Sequence, residues 1–144
     1  MDMALTLGQR QGDLLRLTWD RVLWDAGRIR FRQAKTGRRL AVRITPAVEA
    51  LLRQCRELQP EGTHVICKKN GTPYTSEGFR AIWQRYRRRW INAGNESFTF
   101  HDLRAMCATK CPSLEKASEL LGHTTTAMTQ RVYRRGETLV DPLA

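Results

Sequence analysis

Arginine alternates with apolar residues in RIRFR at Arg28–Arg32, and the same pattern returns in RLAVRI at Arg39–Ile44. A period of two is typical of strands that bury one face and expose the other. Between the two segments lies Gly37, which suits a turn. The sequence therefore predicts a hairpin with a buried apolar face, an arginine-rich outer face and Lys35 near its tip.

Helical patterns with start and stop signals surround this hairpin. Thr45 followed by Pro46 is a start signal, and Gly94 and Gly122 are stop signals. The predicted helices span 12–17, a segment starting at Pro46, 77–93 with Ser76 as cap, a segment starting near His101, 113–121 and 125–133. A short apolar piece at 65–67 is expected to add a third strand. The fold class is therefore α+β, mostly helical with a small antiparallel sheet.

The charge balance indicates the class of partner. The chain has 144 residues, 25 of them Lys or Arg against 14 Asp or Glu, which gives a formal net charge of +11. A chain this basic is expected to bind a polyanion, nucleic acid first, although a solvated charged surface is the alternative. No apolar run is long enough for a bilayer span, and no signal peptide is evident, so we expect a cytoplasmic protein.

The four cysteines are expected to be thiols in a reducing compartment. Cys107 and Cys111 lie one helical turn apart with His101 nearby, and a zinc site is the alternative interpretation of these residues. The paired CxxC spacing of structural zinc sites is missing, however, and we predict no metal and no other cofactor.

The predicted helix 77–93 combines two kinds of side chain. Its apolar stripe is expected to pack in the core rather than to stack on bases. The stripe consists of Phe79, Ile82, Trp83, Tyr86 and Trp90. The arginines of this helix, with Arg80 and Arg85 as examples, are expected to contact DNA phosphates, as are Thr36 and Arg38 in the hairpin.

Six residues stand out as candidates for chemistry, and each is embedded in a short local motif. The motifs are GQRQGD at 8–13, KTG at 35–37, HDLR at 101–104, LGH at 121–123 and a following Tyr133. In this order they resemble the tyrosine recombinase family, whose members include phage integrases. The resemblance extends from Gly8 to Arg135. It implies the catalytic residues Arg10, Lys35, His101, Arg104, His123 and Tyr133.

The resemblance also implies a role for each residue. Arg10 and Arg104 would grip the non-bridging oxygens of a DNA phosphodiester and stabilise the charge that gathers in the transition state. His123 would hydrogen-bond a non-bridging oxygen.

Tyr133 would be the nucleophile and would form a 3′-phosphotyrosyl link, with His101 assisting removal of the phenol proton. Lys35 would be the general acid that protonates the departing 5′-oxygen. Asp13, one turn after Arg10, would orient the catalytic groups.

For the whole protein, the resemblance implies a longer chain that works in an assembly. Residues 1–144 would be the catalytic domain of a longer integrase, truncated at its N-terminus, with the upstream DNA-binding domains absent. The partners would be double-stranded attachment-site DNA, three further copies in a tetramer on that DNA, and accessory DNA-bending proteins, without a membrane. Integration or excision of a phage or prophage genome in a bacterial host would be the process. The alternatives are a non-catalytic basic DNA-binding protein and a type IB topoisomerase-like enzyme.

Overall fold

Helices surround a small antiparallel sheet in the computed structural model, which describes residues 1–123 and 125–133, with the side chains of 131–133 outside the description. This confirms the predicted α+β class. The helices are α1 (Asp2–Leu7), α2 (Gln11–Leu15), α3 (Pro46–Leu58), α4 (Ser76–Asn92), α5 (Phe100–Thr109), α6 (Leu114–Leu121) and α7 (Thr126–Tyr133). The strands are β1 (Val22–Leu23), β2 (Arg28–Arg32) and β3 (Arg39–Arg43), in the order β1-β2-β3.

The hairpin of β2 and β3 confirms the alternating pattern. Ile29 and Phe31 are buried, while every arginine of the two strands is exposed. The register places Arg28 opposite Arg43 and Arg32 opposite Arg39, so the outer face of the hairpin carries like charges across from each other.

The third strand is not where the sequence predicted it. Segment 65–67 makes an isolated bridge between Cys67 and Pro73, and the strand that pairs with β2 is β1. Val65 is buried, and its N–H donates to the carbonyl of Leu17 at 2.9 Å. This segment therefore docks on the chain through a few backbone contacts, because it is too short to form a ladder beside the hairpin.

Local capping signals place most helices well, but the cap of α4 is Thr75, whose hydroxyl accepts from the N–H of Gly78, and not the predicted Ser76. Thr45 caps α3 by accepting a hydrogen bond from the N–H of Val48, and Ser113 caps α6 in the same way through Lys116. Helix α1 was not predicted from the sequence. Helix α2 ends at Leu15, two residues before the predicted end, because Leu17 leaves the helix to bond with Val65.

The predicted apolar stripe of α4 is wrong at its C-terminal end. Phe79 and Trp83 are half-buried, and Trp83 packs edge-to-face on Phe98 and Phe100 at centroid distances of 5.4 and 5.2 Å. Tyr86 and Trp90 are 63% and 47% exposed, respectively. Trp90 still meets Phe98 edge-to-face at a centroid distance of 5.9 Å, so the second half of the helix touches the core only at its margin.

The main core lies between the inner face of the sheet and helices α1, α3 and α5, and includes Leu7, Leu14, Ile29, Leu52 and Leu103. None of the helices in the described ranges is both long and apolar enough to cross a bilayer. Those ranges also hold no group of three His, Cys, Asp or Glu side chains arranged for a metal ion. The thiol of Cys107 instead donates to the carbonyl of Thr6 at 3.7 Å.

Candidate active site

Arg104 is a buried cation fixed by two main-chain carbonyls. It projects from α5 and is 3% exposed. Its Nη1 donates to the carbonyl of Gly8, and its Nη2 donates to the carbonyl of Leu121 at 2.6 Å. Burial, and after it the nearby charge of Arg10, lowers the pKa of Arg104 to about 10. The guanidinium is therefore still charged at neutral pH and has little freedom to move.

Arg10 lies beside it but is bonded differently. It is the residue before α2, in the turn that follows the left-handed Gly8. Its Nη1 is buried and has no hydrogen-bond partner among the described residues. A buried donor without an acceptor is costly, and an anion between the two guanidiniums would satisfy it.

These two arginines open on a pocket of about 270 Å³ that His101 also lines. His101 is exposed and lies in the first turn of α5, three residues before Arg104, so the two project from the same side of the helix. The start of that helix is fixed by a capping box between Thr99 and Asp102. The pocket can therefore present two guanidiniums and an imidazole to one anionic group.

His123 follows the left-handed Gly122 that ends α6. Its Nδ1 hydrogen-bonds the hydroxyl of Thr129 in α7 at 2.7 Å. Burial lowers the pKa of His123 to about 4, and Arg104, Arg10, His101 and Arg38 contribute in that order. The imidazole is therefore neutral at pH 7 in the DNA-free protein, and it lies within the positive field of the pocket.

Lys35 is exposed on the loop that joins β2 to β3. The residue before it, Ala34, donates its N–H to Oδ1 of Asp13 at 3.0 Å. Asp13 is buried and also accepts a hydrogen bond from Arg16 at 2.8 Å. The carboxylate thus fixes the base of the Lys35 loop against α2.

The four residues expected to contact DNA fall into two pairs. Thr36 donates its hydroxyl to Oε1 of Gln33 at 3.1 Å, and Arg38 donates to the carbonyl of His123, so both hold the hairpin within the protein. Arg80 and Arg85 are exposed on α4. Tyr133 is the last residue of α7, and its side chain lies outside the described part of the chain.

Two further residues of the site, both glutamines, were given no role in the sequence analysis. Gln9 lies within the GQRQGD motif, whereas Gln33 lies in none of the motifs. Gln9 and Gln33 are completely buried, and Nε2 of Gln33 donates to Oε1 of Gln9 at 3.0 Å. A signal was available, because Gln33 follows Ile29 and Phe31 at a spacing of two and therefore continues the buried face of the hairpin. A polar residue in that series is expected to find a buried partner.

Comparison with known proteins agrees with this architecture. The model of the phage integrase family matches residues 1–138. The integrase of Escherichia phage HK022 is 33% identical over 149 residues, covering 93% of this chain and 40% of the relative. The integrase of Escherichia phage lambda is 29% identical with the same coverage. The chain thus spans about 40% of the length of these relatives.

Solved structures give the same result. A lambda integrase dimer bound to a COC' core site matches with a TM-score of 0.78 and 27% identity, covering 99% of this chain and 43% of that one. A lambda integrase tetramer bound to a Holliday junction matches equally well. The XerA recombinase, at 21% identity and a TM-score of 0.70, shares the fold. The chain belongs to the phage integrase family.

Proposed function

We propose that this chain carries the strand-cleaving and strand-joining chemistry of a site-specific DNA recombinase. The observation that carries the proposal is the pocket itself. It places the unpartnered, buried nitrogen of Arg10 beside the rigid guanidinium of Arg104, with His101 at its edge. Such a site suits a singly charged phosphodiester, whose two non-bridging oxygens accept the forked donors of arginine.

The reaction begins when the phenol oxygen of Tyr133 attacks the phosphorus. The P–O5′ bond breaks, the 3′-phosphate becomes esterified to Tyr133, and His101 accepts the phenol proton. Lys35 donates a proton to the departing 5′-oxygen. The arginines stabilise the negative charge of the pentavalent transition state.

His123 and Asp13 support this arrangement. Nδ1 of the neutral His123 imidazole is hydrogen-bonded to the hydroxyl of Thr129. The other ring nitrogen, Nε2, donates to a phosphate oxygen. Asp13 positions the Lys35 loop through Ala34. Rejoining reverses the cleavage when a 5′-hydroxyl attacks the phosphotyrosyl bond, so the energy of the broken phosphodiester is retained.

The matched proteins support the choice of partner. Lambda integrase has been solved as a dimer on a core site and as a tetramer on a Holliday junction. By analogy, this chain is part of a longer protein with DNA-binding domains upstream of residues 1–144. Four copies of that protein act together on double-stranded attachment sites, and accessory DNA-bending proteins are further partners. The process would be integration or excision of a phage genome in the bacterial cytoplasm.

Exposed arginines extend the DNA-binding surface beyond the pocket. The outer face of the hairpin is defined as Arg28, Arg30, Arg32, Arg39 and Arg43, whose side chains make no hydrogen bond or ion pair to another described residue. Phosphates along a duplex would neutralise this face. Arg80 and Arg85 on α4 would contact phosphates as well, and Thr36 and Arg38 would approach the DNA at the hairpin tip.

The decisive experiment is covalent trapping on a nicked suicide substrate of the matching attachment site. The wild-type protein should form an adduct that survives denaturing electrophoresis, and peptide mapping should locate the DNA on Tyr133. Tyr133→Phe should bind the same DNA and form no adduct. Tyr86→Phe, at an exposed tyrosine of α4, is the matched control and should react normally.

Two outcomes would contradict the proposal. Absence of any wild-type adduct, with DNA binding intact, would favour a non-catalytic DNA-binding protein. An adduct accompanied by plasmid relaxation, without strand exchange between two sites, would favour a topoisomerase.

A further inference from the structure

The carboxamide of Gln33 lies at the base of the hairpin, completely buried and fully hydrogen-bonded. Its Nε2 donates to Oε1 of Gln9 at 3.0 Å and to the carbonyl of Leu121 at 2.9 Å. Its Oε1 accepts a hydrogen bond from the hydroxyl of Thr36 at 3.1 Å. One side chain therefore connects the hairpin to the segment before Arg10 and to the end of α6.

Gln9 extends this connection. Its Nε2 donates to the carbonyls of Leu7 and Leu120 at 2.9 and 2.7 Å. The carbonyl of Leu121, which accepts from Gln33, also accepts from Nη2 of Arg104 at 2.6 Å. Gln33 and Arg104 thus donate to the same carbonyl oxygen. This shared acceptor links the position of the hairpin to the position of the Arg104 guanidinium.

Lys35 lies between two anchored neighbours. Ala34 is bonded to Asp13, and Thr36 is bonded to Gln33. The lysine itself is exposed. Fixing the residues on both sides limits where the loop can carry the ammonium group, although the long side chain keeps its own rotamers.

Burying two amides is an expensive way to fill this space. Each amide must be removed from water, and its hydrogen bonds in the protein return only a small net gain. Leucine or methionine would fill the same volume without that cost. An apolar pair would lack directional contacts. Hydrogen bonds fix one placement of the hairpin against the neighbouring helices, whereas apolar contacts allow several.

We propose that Gln33, supported by Gln9, is a positioning residue for Lys35 that sets the hairpin tip relative to the Arg10–Arg104 pocket. The inference rests on the proposed function, in which Lys35 protonates the departing 5′-oxygen. Gln33 contributes to cleavage only through that proton transfer. Its loss should therefore slow the step that needs a proton and spare the step that does not.

Two suicide substrates separate these steps. They are identical except that the bridging 5′-oxygen of the scissile phosphate is replaced by sulfur in the second, so that a thiolate leaves without needing a proton. Gln33→Met should form adduct about tenfold more slowly than wild type on the oxygen substrate, a value equivalent to one lost hydrogen bond. On the sulfur substrate it should match the wild-type rate.

Three further variants calibrate the result. Lys35→Ala should show the same selective defect, but larger. Arg10→Ala should be defective on both substrates, because phosphate charge is stabilised whichever atom leaves. Thr36→Val removes the hydroxyl that donates to Gln33 from an exposed position, so it tests the connection even if Gln33→Met fails to fold.

Rates are measured at saturating DNA, so that a loss of DNA affinity at Thr36 does not count as a loss of catalysis. Equal defects of Gln33→Met and Thr36→Val on both substrates, or wild-type rates of both variants on the oxygen substrate, would overturn the inference. The proposed function fails separately, through a wild-type protein that forms no adduct or a Lys35→Ala variant that sulfur does not rescue.

Discussion

The arginine pocket and the outer face of the hairpin use the same side chain in opposite ways. In the pocket, Arg104 is buried and fixed by two carbonyls, and Arg10 lies beside it with an unpartnered nitrogen. On the outer face, the arginines are exposed, and the pairs Arg28–Arg43 and Arg32–Arg39 stand opposite each other without neutralisation by described residues. The function of the pocket depends on where each guanidinium lies, whereas the function of the outer face depends on its total positive charge.

The physical costs differ in the same way. The pocket incurs desolvation of charge, which is tolerable only because the donors of Arg104 have acceptors. The outer face incurs a cross-strand repulsion of about 0.2–1 kcal/mol per pair, which water and salt reduce. Substitutions in the two regions should therefore affect different measurements.

The largest difference is expected in the rate of cleavage. Arg10→Ala removes a donor aimed at the transition state, and adduct formation at saturating DNA should fall by about 10²–10³-fold. Arg30→Ala, on the outer face, should leave that rate within about twofold, because a distant charge affects association more than chemistry. A comparable loss in both variants would remove the distinction between the regions.

The next difference concerns folding, and only one of the two pocket arginines should stabilise the fold. Arg104→Ala leaves the carbonyls of Gly8 and Leu121 without that donor and should lower the free energy of unfolding by about 2–4 kcal/mol. Arg10→Ala removes an unpartnered buried donor and a repulsive neighbour, so the free energy of unfolding should stay constant or rise. Urea denaturation checks both, and a strong destabilisation by Arg10→Ala would show that its nitrogen is satisfied in solution.

A smaller effect is expected in the salt dependence of DNA binding. Arg30→Ala should reduce the slope of log affinity against log salt by about 0.9, the value for one lost phosphate contact. The matched control is Arg53→Ala, which removes the same charge from α3, where Arg53 is paired with Glu49 at 2.7 Å. Equal slopes for the two variants would show that the outer face does not contact the duplex.

The smallest effect is a change in the titration of His123. Burial is the largest cause of the lowered pKa of His123, and the charges of Arg104 and Arg10 add to it. Arg10→Ala should therefore raise that pKa only part of the way from about 4 in the DNA-free protein, whereas Arg30→Ala should leave it unchanged. Histidine NMR signals measure this directly. An unchanged pKa in Arg10→Ala would mean that the charge of Arg10 does not reach the imidazole.

The same shift makes stability depend on pH. His123 has a pKa of about 4 in the folded protein, whereas the unfolded chain binds the proton near pH 6.5. The contribution is therefore complete above pH 6.5, and the free energy of unfolding falls as the pH decreases from 6.5 to about 4. His123→Gln should remove that part of the pH dependence.

The elements that were predicted correctly are those that local sequence patterns determine. The hairpin followed from a period of two, and α3 and α6 from their cap residues, because these signals act within a few residues. Two predictions were wrong, namely a strand at 65–67 and an apolar stripe buried along the whole of α4. Both depend on which other segment of the chain covers these residues. Leu17 accepts the backbone bond of Val65, and Phe98 covers Trp83 but leaves Tyr86 exposed.

The site shows the same division. Motif order named Arg10, His101 and Arg104, and the fold brings these three to one pocket. The sequence could not reveal that Arg104 is fixed by the carbonyls of Gly8 and Leu121, because main-chain acceptors leave no residue signature. Gln33 was missed although its spacing placed it on the buried face.

Gly122 has two separate reasons to remain glycine. Its φ is +63°, and a Cβ placed there would come within 2.6 Å of Nε2 of Gln33. Shortening Gln33 should therefore restore the free energy of unfolding of Gly122→Ala only in part, because the new space relieves the collision while the left-handed backbone still disfavours a side chain. Full reversion would require glycine itself.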